Sequence, residues 1–448
     1  MRATAAPAMA REVLVCWIFL LVAGLVLVVL GPPFSGPDES VHFQRMWAIS
    51  RGDFVPERRP DGVGSELPCE LPTLAGAVTT EKREASFASF REPGLRAISS
   101  RLRPSAHAPD CFVAYTSAAV YTPFSYLPSA AAMRLARLFD AGALEQLVAA
   151  RTANLVLSWL ILGAAIRVAP RISWTILAFA SLPMAVFIRS THVSDSLLGA
   201  MALLLVAYVV RALDERSQID VKGIAAAALI SLLKSLYVFV PLIALVPGGR
   251  GSAIRRRLLT AVVLVVTTLV GLELSRAGFA PQRHDRPDPA GAAAAMLSTP
   301  WQLAEVAARD MVINGPGYLM GFTGVLGWLD APVPRTTRMM LFVVMLSIVV
   351  AESQRLESSA LSRIAALALI VASVLLVQLS LYFSYTPPGS GMIVGVQGRY
   401  FLPIAPLLTL ALPRLVDIKP GFARIAGICF VPVSLAVTIV VVAIRYWW

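Results

Sequence analysis

Apolar runs of roughly 17 to 25 residues recur along the whole chain, each long enough to cross a hydrocarbon layer of about 30 Å as a helix. The first covers Val13 to Leu30. Later runs fall at roughly 112–138, 146–166, 172–188, 193–210, 223–246, 258–275, 312–328, 337–351, 363–384, 399–418 and 425–446. None alternates as barrel strands would, and a backbone in lipid must satisfy its own hydrogen bonds, so helices are the predicted spanning elements. The pattern predicts an all-α polytopic membrane protein of about ten to twelve transmembrane helices.

Two runs are expected to break. Segment 223–246 is interrupted by Lys234 and Pro241, and both its flanks carry cytoplasmic-type charge, so it predicts two short helices or a re-entrant hairpin with Lys234 near the outer turn. Segment 312–328 holds Gly315-Pro316-Gly317, Gly321, Gly324 and Gly327, a density that weakens a helix and suggests a buried or interfacial piece. The first run has Arg2 and Arg11 before it, as a signal peptide would. Its apolar core is longer than the usual 7 to 15 residues, however, and no small-residue cleavage site follows it. Residues 1–31 therefore read as a cytoplasmic N-terminus and a retained first span.

Composition agrees with this class. Hydrophobic residues make up 57% of the chain and charged residues 15%, with a mean hydropathy of +0.71. The net charge of +12 adds a direction rather than a partner. Basic residues cluster in short loops, most tightly at Arg250 and Arg255-Arg256-Arg257, as cytoplasmic topogenic signals do. No aromatic platform is interleaved with them, so nucleic acid is not an expected partner.

With the N-terminus inside, the long polar stretch 32–111 lies outside as a loop with interfacial helices. Between Pro32 and Asp110 it carries 10 Lys/Arg and 11 Asp/Glu. Residues 112–448 form a multi-helix transmembrane domain with a second outer loop at about 276–336, including an Ala-rich helix from Gly291 onward. Cys16 and Cys429 sit in apolar runs as small core residues. Cys69 and Cys111 share the outer loop, where a disulfide would close about 40 residues and add on the order of 4 kcal/mol; the alternative is two unpaired thiols.

Candidate chemistry gathers at the outer boundaries. Asp38 and Glu39 follow the first run on a loop stiffened by proline and glycine, where a carboxylate suits general-base work or metal ligation. The plainer alternative is that Asp38 caps a helix running from Glu39 through His42, Phe43, Met46 and Trp47. Arg189, His192 and Asp195 fall between two runs, Lys234 lies inside one, and Gln397-Gly398-Arg399-Tyr400 opens another. Ionisable residues at such depth are costly without a partner or an aqueous cavity, which makes each a functional candidate. Basic residues facing a carboxylate fit a lipid-linked phosphosugar, the cations holding phosphate and the carboxylate deprotonating an acceptor hydroxyl. The chain has no P-loop, no His-Glu-x-x-His, no nucleophile elbow and no dinucleotide fingerprint.

Pro32-Pro-Phe-Ser-Gly-Pro-Asp-Glu-Ser-Val-His-Phe43, Tyr121-Thr-Pro-Phe-Ser-Tyr126, Ser194-Asp195, Leu233-Lys-Ser-Leu-Tyr237, Leu326-Gly-Trp-Leu-Asp330 and Val396-Gln-Gly-Arg-Tyr-Phe-Leu-Pro403 resemble the bacterial membrane proteins grouped as domain of unknown function 2142. The resemblance runs from the first span to about Pro413. That family is similar to the type C glycosyltransferases, multi-spanning enzymes that take sugars from polyprenyl phosphate carriers. The resemblance implies Asp38 as catalytic carboxylate with Glu39 beside it, Lys234 and Arg399 as phosphate ligands, and Asp195 and Tyr121 in the cavity wall. His42, Gln397 and Tyr400 stand in the same motifs and complete the candidate substrate-binding set. Tyr121-Thr122-Pro123 departs from the commoner Tyr-Pro-Pro.

The expected function is a glycosyltransferase of the inner (plasma) membrane, its site facing outward. It would move a sugar from a polyprenyl phosphate to a glycan, lipid or protein acceptor. No cofactor is required, and a divalent metal, if any, would sit on Asp38 and Glu39. The alternative is a transporter or flippase of lipid-linked or small polar substrates, for which broken helices would serve equally well.

Overall fold

The computed structural model describes residues 9–74, 76, 93–247, 253–280, 300–387, 390–414, 418–419 and 421–448. Its principal helices are α1 (Arg11–Leu30), α2 (Glu39–Ser50), α3 (Leu127–Arg137), α4 (Ala143–Val168), α5 (Ser173–Ser181), α6 (Pro183–Arg189) and α7 (Leu198–Asp214). They are followed by α8 (Val221–Leu233), α9 (Ala253–Gly278), α10 (Pro300–Gly324), α11 (Arg335–Ser353), α12 (Ala360–Ser384) and α13 (Phe422–Trp447). The all-α polytopic membrane class holds.

Among the described residues, α1, α4, α9, α11, α12 and α13 are long and apolar enough to cross a membrane. The pair α5 and α6, bent by 76° between Ser181 and Pro183, adds a seventh if it is one span. Fewer uninterrupted crossings than the expected ten to twelve result because several apolar runs are broken by proline. Run 112–138 contains Pro123 and Pro128 and leaves only the 11-residue α3, about 16 Å long. Run 399–418 contains Pro403, Pro406 and Pro413 and becomes two 3₁₀ turns and the four-residue helix Leu408–Ala411.

Run 223–246 divides as its charge pattern suggests. Asp220 caps α8 by accepting from the Gly223 amide at 2.8 Å, and the helix ends at Lys234, whose backbone is extended (φ −155°, ψ 110°). Two 3₁₀ segments, Ser235–Tyr237 and Val240–Leu245, lead back. Run 312–328 is helical as far as Gly324, with Pro316 inside α10, despite its glycines; as expected of a piece that does not cross, α10 is not among the helices long and apolar enough to span. Two of its glycines lie at close contacts: a Cβ at Gly321 would come within 3.2 Å of the Gly398 amide nitrogen, and one at Gly324 within 2.9 Å of Val333. Of the expected second loop at 276–336, residues 300–324 are thus helix. The Ala-rich helix from Gly291 lies outside the described residues.

Direction through the bundle follows from side-chain contacts. Trp17 of α1 stacks on Trp159 of α4 with centroids 3.8 Å apart, and each indole donates to the other residue's carbonyl. Nearer the end of α1, Arg151 of α4 meets the Val28 and Gly31 carbonyls, so the two helices are antiparallel. Trp447 donates to the Leu30 carbonyl and Arg424 pairs with Glu12, so α13 runs parallel to α1. One end of the bundle therefore gathers residues 30–39, 190–197, 234–235 and 445–448. The other gathers Arg171 with Asp214, Arg216 with Glu357, and Arg414 with the Leu356 carbonyl. Helix α7 is buried on nearly every face, while α1, α9, α12 and α13 turn Val29, Leu258, Leu367 and Ile425 outward as lipid-contacting surface. Cys16 is buried; Cys429, expected in the core, is on that outer surface.

The described residues of the first long loop carry regular structure that its polarity did not announce. Strands β1 (Glu57–Arg59), β2 (Gly62–Pro68) and β3 (Asp110–Ala114) form an antiparallel sheet in sequence order, with Leu67 opposite Cys111. Three short strands left no alternation strong enough to read. Cys69 and Cys111 form a disulfide with Cα atoms 5.2 Å apart. Phe43, Met46 and Trp47 of α2 pack with Val63, Leu67, Met133 and, from the start of α4, Leu147 and Ala150 in a second hydrophobic core. That core fixes α2, and with it Asp38 and His42.

Candidate functional site

Asp38 stands at the N-cap position of α2 and does not cap. Its backbone is left-handed (φ 57°, ψ 16°) and its side chain accepts no hydrogen bond from the helix. Instead Oδ2 lies 3.2 Å from Nη2 of Arg399, 361 residues away in sequence, and the carboxylate side chain remains 48% exposed. A non-glycine residue in this region costs on the order of 1 kcal/mol or more and persists only where its surroundings hold it. Phe34 is also left-handed (φ 58°), and its carbonyl is held by the Trp328 indole at 2.8 Å. Trp328 belongs to the turn between β4 (Val325–Leu326) and β5 (Ala331–Pro332), which Asp330 ties to Arg445 of α13 at 2.8 Å.

Arg399 is 4% exposed and sits on the 3₁₀ turn Gly398–Phe401. That turn lies directly on α10: a Cβ at Gly398 would collide with the Phe322 nitrogen and the Tyr318 carbonyl. Nε of Arg399 and Oε1 of Gln397 have no hydrogen-bond partner among the described residues. Lys234, 4% exposed, points Nζ to Oδ1 of Asp195 at 2.6 Å. Its ammonium lies 4.4 Å from the ring centre of Tyr121, 5.7 Å from Tyr400 and 5.9 Å from Tyr237, an aromatic cage around a cation. His42, one turn along α2 from Asp38, places Nδ1 2.6 Å from the Tyr126 hydroxyl and stacks against Tyr121 at 5.4 Å.

The chain thus brings Asp38, Lys234, Arg399, Asp195, Tyr121, Tyr400 and His42 into one neighbourhood. Two cavities flank it. Asp195 and Arg399 line a small one together with Arg189, whose guanidinium donates to the Ala180 carbonyl. Lys234, Tyr121 and Tyr400 form the head of a cleft of about 380 Å³ that continues between Leu272 of α9 and Leu376 of α12. The cluster thus sets two cations, Lys234 and Arg399, against two carboxylates, Asp195 and Asp38, with Arg189 lining the small cavity beside them.

Glu39 does not share this exposure. It is fully buried; Arg151 donates to it from Nε at 2.7 Å and from Nη2 at 2.6 Å, and Nδ1 of His192 lies 3.0 Å away. Burial works to raise this carboxyl, but the charges of Arg151 and His192 outweigh it and hold the group well below the usual carboxylate range. The carboxylates of Asp38 and Glu39 therefore meet different partners and do not converge as a shared ligand set. Among the described residues no cluster of three or more His, Cys, Asp or Glu could hold a metal ion. Arg151 is the site residue that sequence reading missed, although an arginine inside run 146–166 is the signal that singled out Lys234.

Helices exposing apolar faces around a charged cluster at one end of the bundle define a polytopic α-helical membrane protein. The chain belongs to the family described as predicted membrane protein (DUF2142), which it matches over residues 20–408. No curated protein and no solved structure matches it.

Proposed function

We propose that this protein is a glycosyltransferase that moves a sugar from a polyprenyl phosphate carrier to an envelope acceptor on the outer side of the membrane. The observation that carries the reading is Asp38: a half-exposed carboxylate, strained and not capping its helix, against a buried arginine whose Nε has no partner among the described residues. In the reaction, an acceptor hydroxyl attacks the anomeric carbon and loses its proton to Asp38. The bond from that carbon to the carrier phosphate breaks, and the phosphate leaves with the electron pair, held by Arg399 and Lys234. Direct displacement inverts the anomeric centre. The cleft between α9 and α12 suits the carrier's hydrocarbon chain, because its walls are apolar and its head is cationic.

Incubating the purified protein with a panel of polyprenyl phosphosugars and an acceptor tests the proposal through release of the free lipid phosphate. Asp38→Asn is expected to cut the rate by about a thousandfold, and Arg399→Ala to cut kcat/KM comparably, while both proteins remain inserted. A fully active Asp38→Asn variant would refute the assigned base. The breaks at Ser181–Pro183 and at Lys234 favour a second reading, a transporter of lipid-linked or small polar substrates. Uptake into proteoliposomes with no product formed would select it.

A further inference from the structure

Glu39 joins two loops through three buried partners. Arg151 spends its remaining N–H groups on the Val28 carbonyl at 3.3 Å, the Gly31 carbonyl at 2.7 Å and the Pro32 carbonyl at 2.8 Å, where α1 ends and the Asp38 loop begins. The Gly36 amide donates to Oε2 of Glu39 at 2.9 Å, closing that loop on itself. From the other side, His192 places Nε2 3.1 Å from the Glu39 carbonyl oxygen, and His192 precedes Asp195 by three residues. The polar face of α4 serves both loops. One turn beyond Arg151, Asn154 donates to the Thr191 carbonyl at 3.5 Å, and Ser158 donates to the Ser196 carbonyl at 3.1 Å. Glu39, Arg151 and His192 are each 2% exposed or less, so no substrate touches them.

We infer that Glu39 is a positioning residue: with Arg151 and His192 it fixes the loop carrying Asp38 against the loop carrying Asp195, and so sets the spacing of the two ion pairs, Asp38–Arg399 and Lys234–Asp195. The catalytic consequence rests on the proposed function; the structural consequence does not. Fully buried, with Arg151 and the Gly36 amide donating to it and His192 packed against it, this carboxylate is not open to a substrate proton. It acts through its neighbour, Asp38.

Two measurements test this on the full-length protein in lipid nanodiscs. Hydrogen–deuterium exchange compares the wild type with Glu39→Gln, and with His192→Ala, which keeps the Glu39–Arg151 pair and removes the link between the loops, should Glu39→Gln not insert. Expected is exchange about tenfold faster in both 33–38 and 191–196, with α11 and α13 unchanged. Faster exchange in one segment alone, or in neither, overturns the inference. In the transfer assay Glu39→Gln is expected to lower kcat by about a hundredfold with donor KM within about threefold, and to add less than about threefold in an Asp38→Asn background. Full additivity overturns it as well. A wild type that transfers no sugar removes the enzyme reading and leaves the exchange result to decide the loop coupling.

Discussion

Two adjacent carboxylates have opposite fates here, and the difference lies in what each meets. Asp38 is half exposed against one buried arginine; Glu39 is fully buried between an arginine and a histidine. Adjacency in sequence could nominate both as acids but could not divide their roles, because the dividing partners, Arg399 and Arg151, arrive from 361 and 112 residues away. What was legible at this scale was cost: Lys234, Asp195 and Arg399 stood out as charges beside apolar runs, and the fold brings all three into one cluster with Asp38. His42 supports a prediction about pH. Burial, then the positive charges of His192, Lys234 and Arg399, hold its imidazole well below the usual value, with Glu39 opposing. The folded protein therefore excludes a proton that the unfolded chain binds below pH of about 6.5, so stability is level above that pH and falls by up to about 1.4 kcal/mol per unit below it. Thermal unfolding between pH 8 and 5 should show this acid-side loss in the wild type and a shallower one in His42→Gln.

At the level of elements, span-length helices were readable from hydropathy, whereas the breaks that position the site were only partly so. Lys234 with Pro241 announced the interruption after α8. The three strands of the first loop carried no comparable signal, and Gly321 of α10 marked a close approach of the Gly398 backbone rather than a break in the helix. That close approach yields a prediction. Gly398→Ala introduces a Cβ where the Phe322 nitrogen and Tyr318 carbonyl already lie, so the turn must lift from α10 and carry Arg399 away from Asp38. Such overpacking is expected to cost about 1–3 kcal/mol of stability and to reduce transfer far more than the stability loss explains. Unchanged activity and melting temperature would show that the turn accommodates a side chain.

For the whole molecule, the contacts that order the helices also sort its charge. At the end remote from Asp38, the connections bring together Arg171, Arg216 and Arg414, and the cleft there is also lined by Arg257. Basic residues in short connections orient membrane proteins with that side toward the cytoplasm, and long loops contribute little to the choice. The sheet-bearing first loop, with its disulfide, would then face the compartment where disulfides persist. Two independent features thus argue for one orientation, the one a lipid-linked donor used outside the cell requires. Single cysteines read it directly in a Cys429→Ser background. With a membrane-impermeant maleimide on intact cells, Arg58→Cys is expected to label at once, while Arg216→Cys, whose native side chain is 83% exposed, labels only after permeabilisation. The reverse pattern would turn the Asp38 cluster toward the cytoplasm and leave it without access to an acceptor in the envelope.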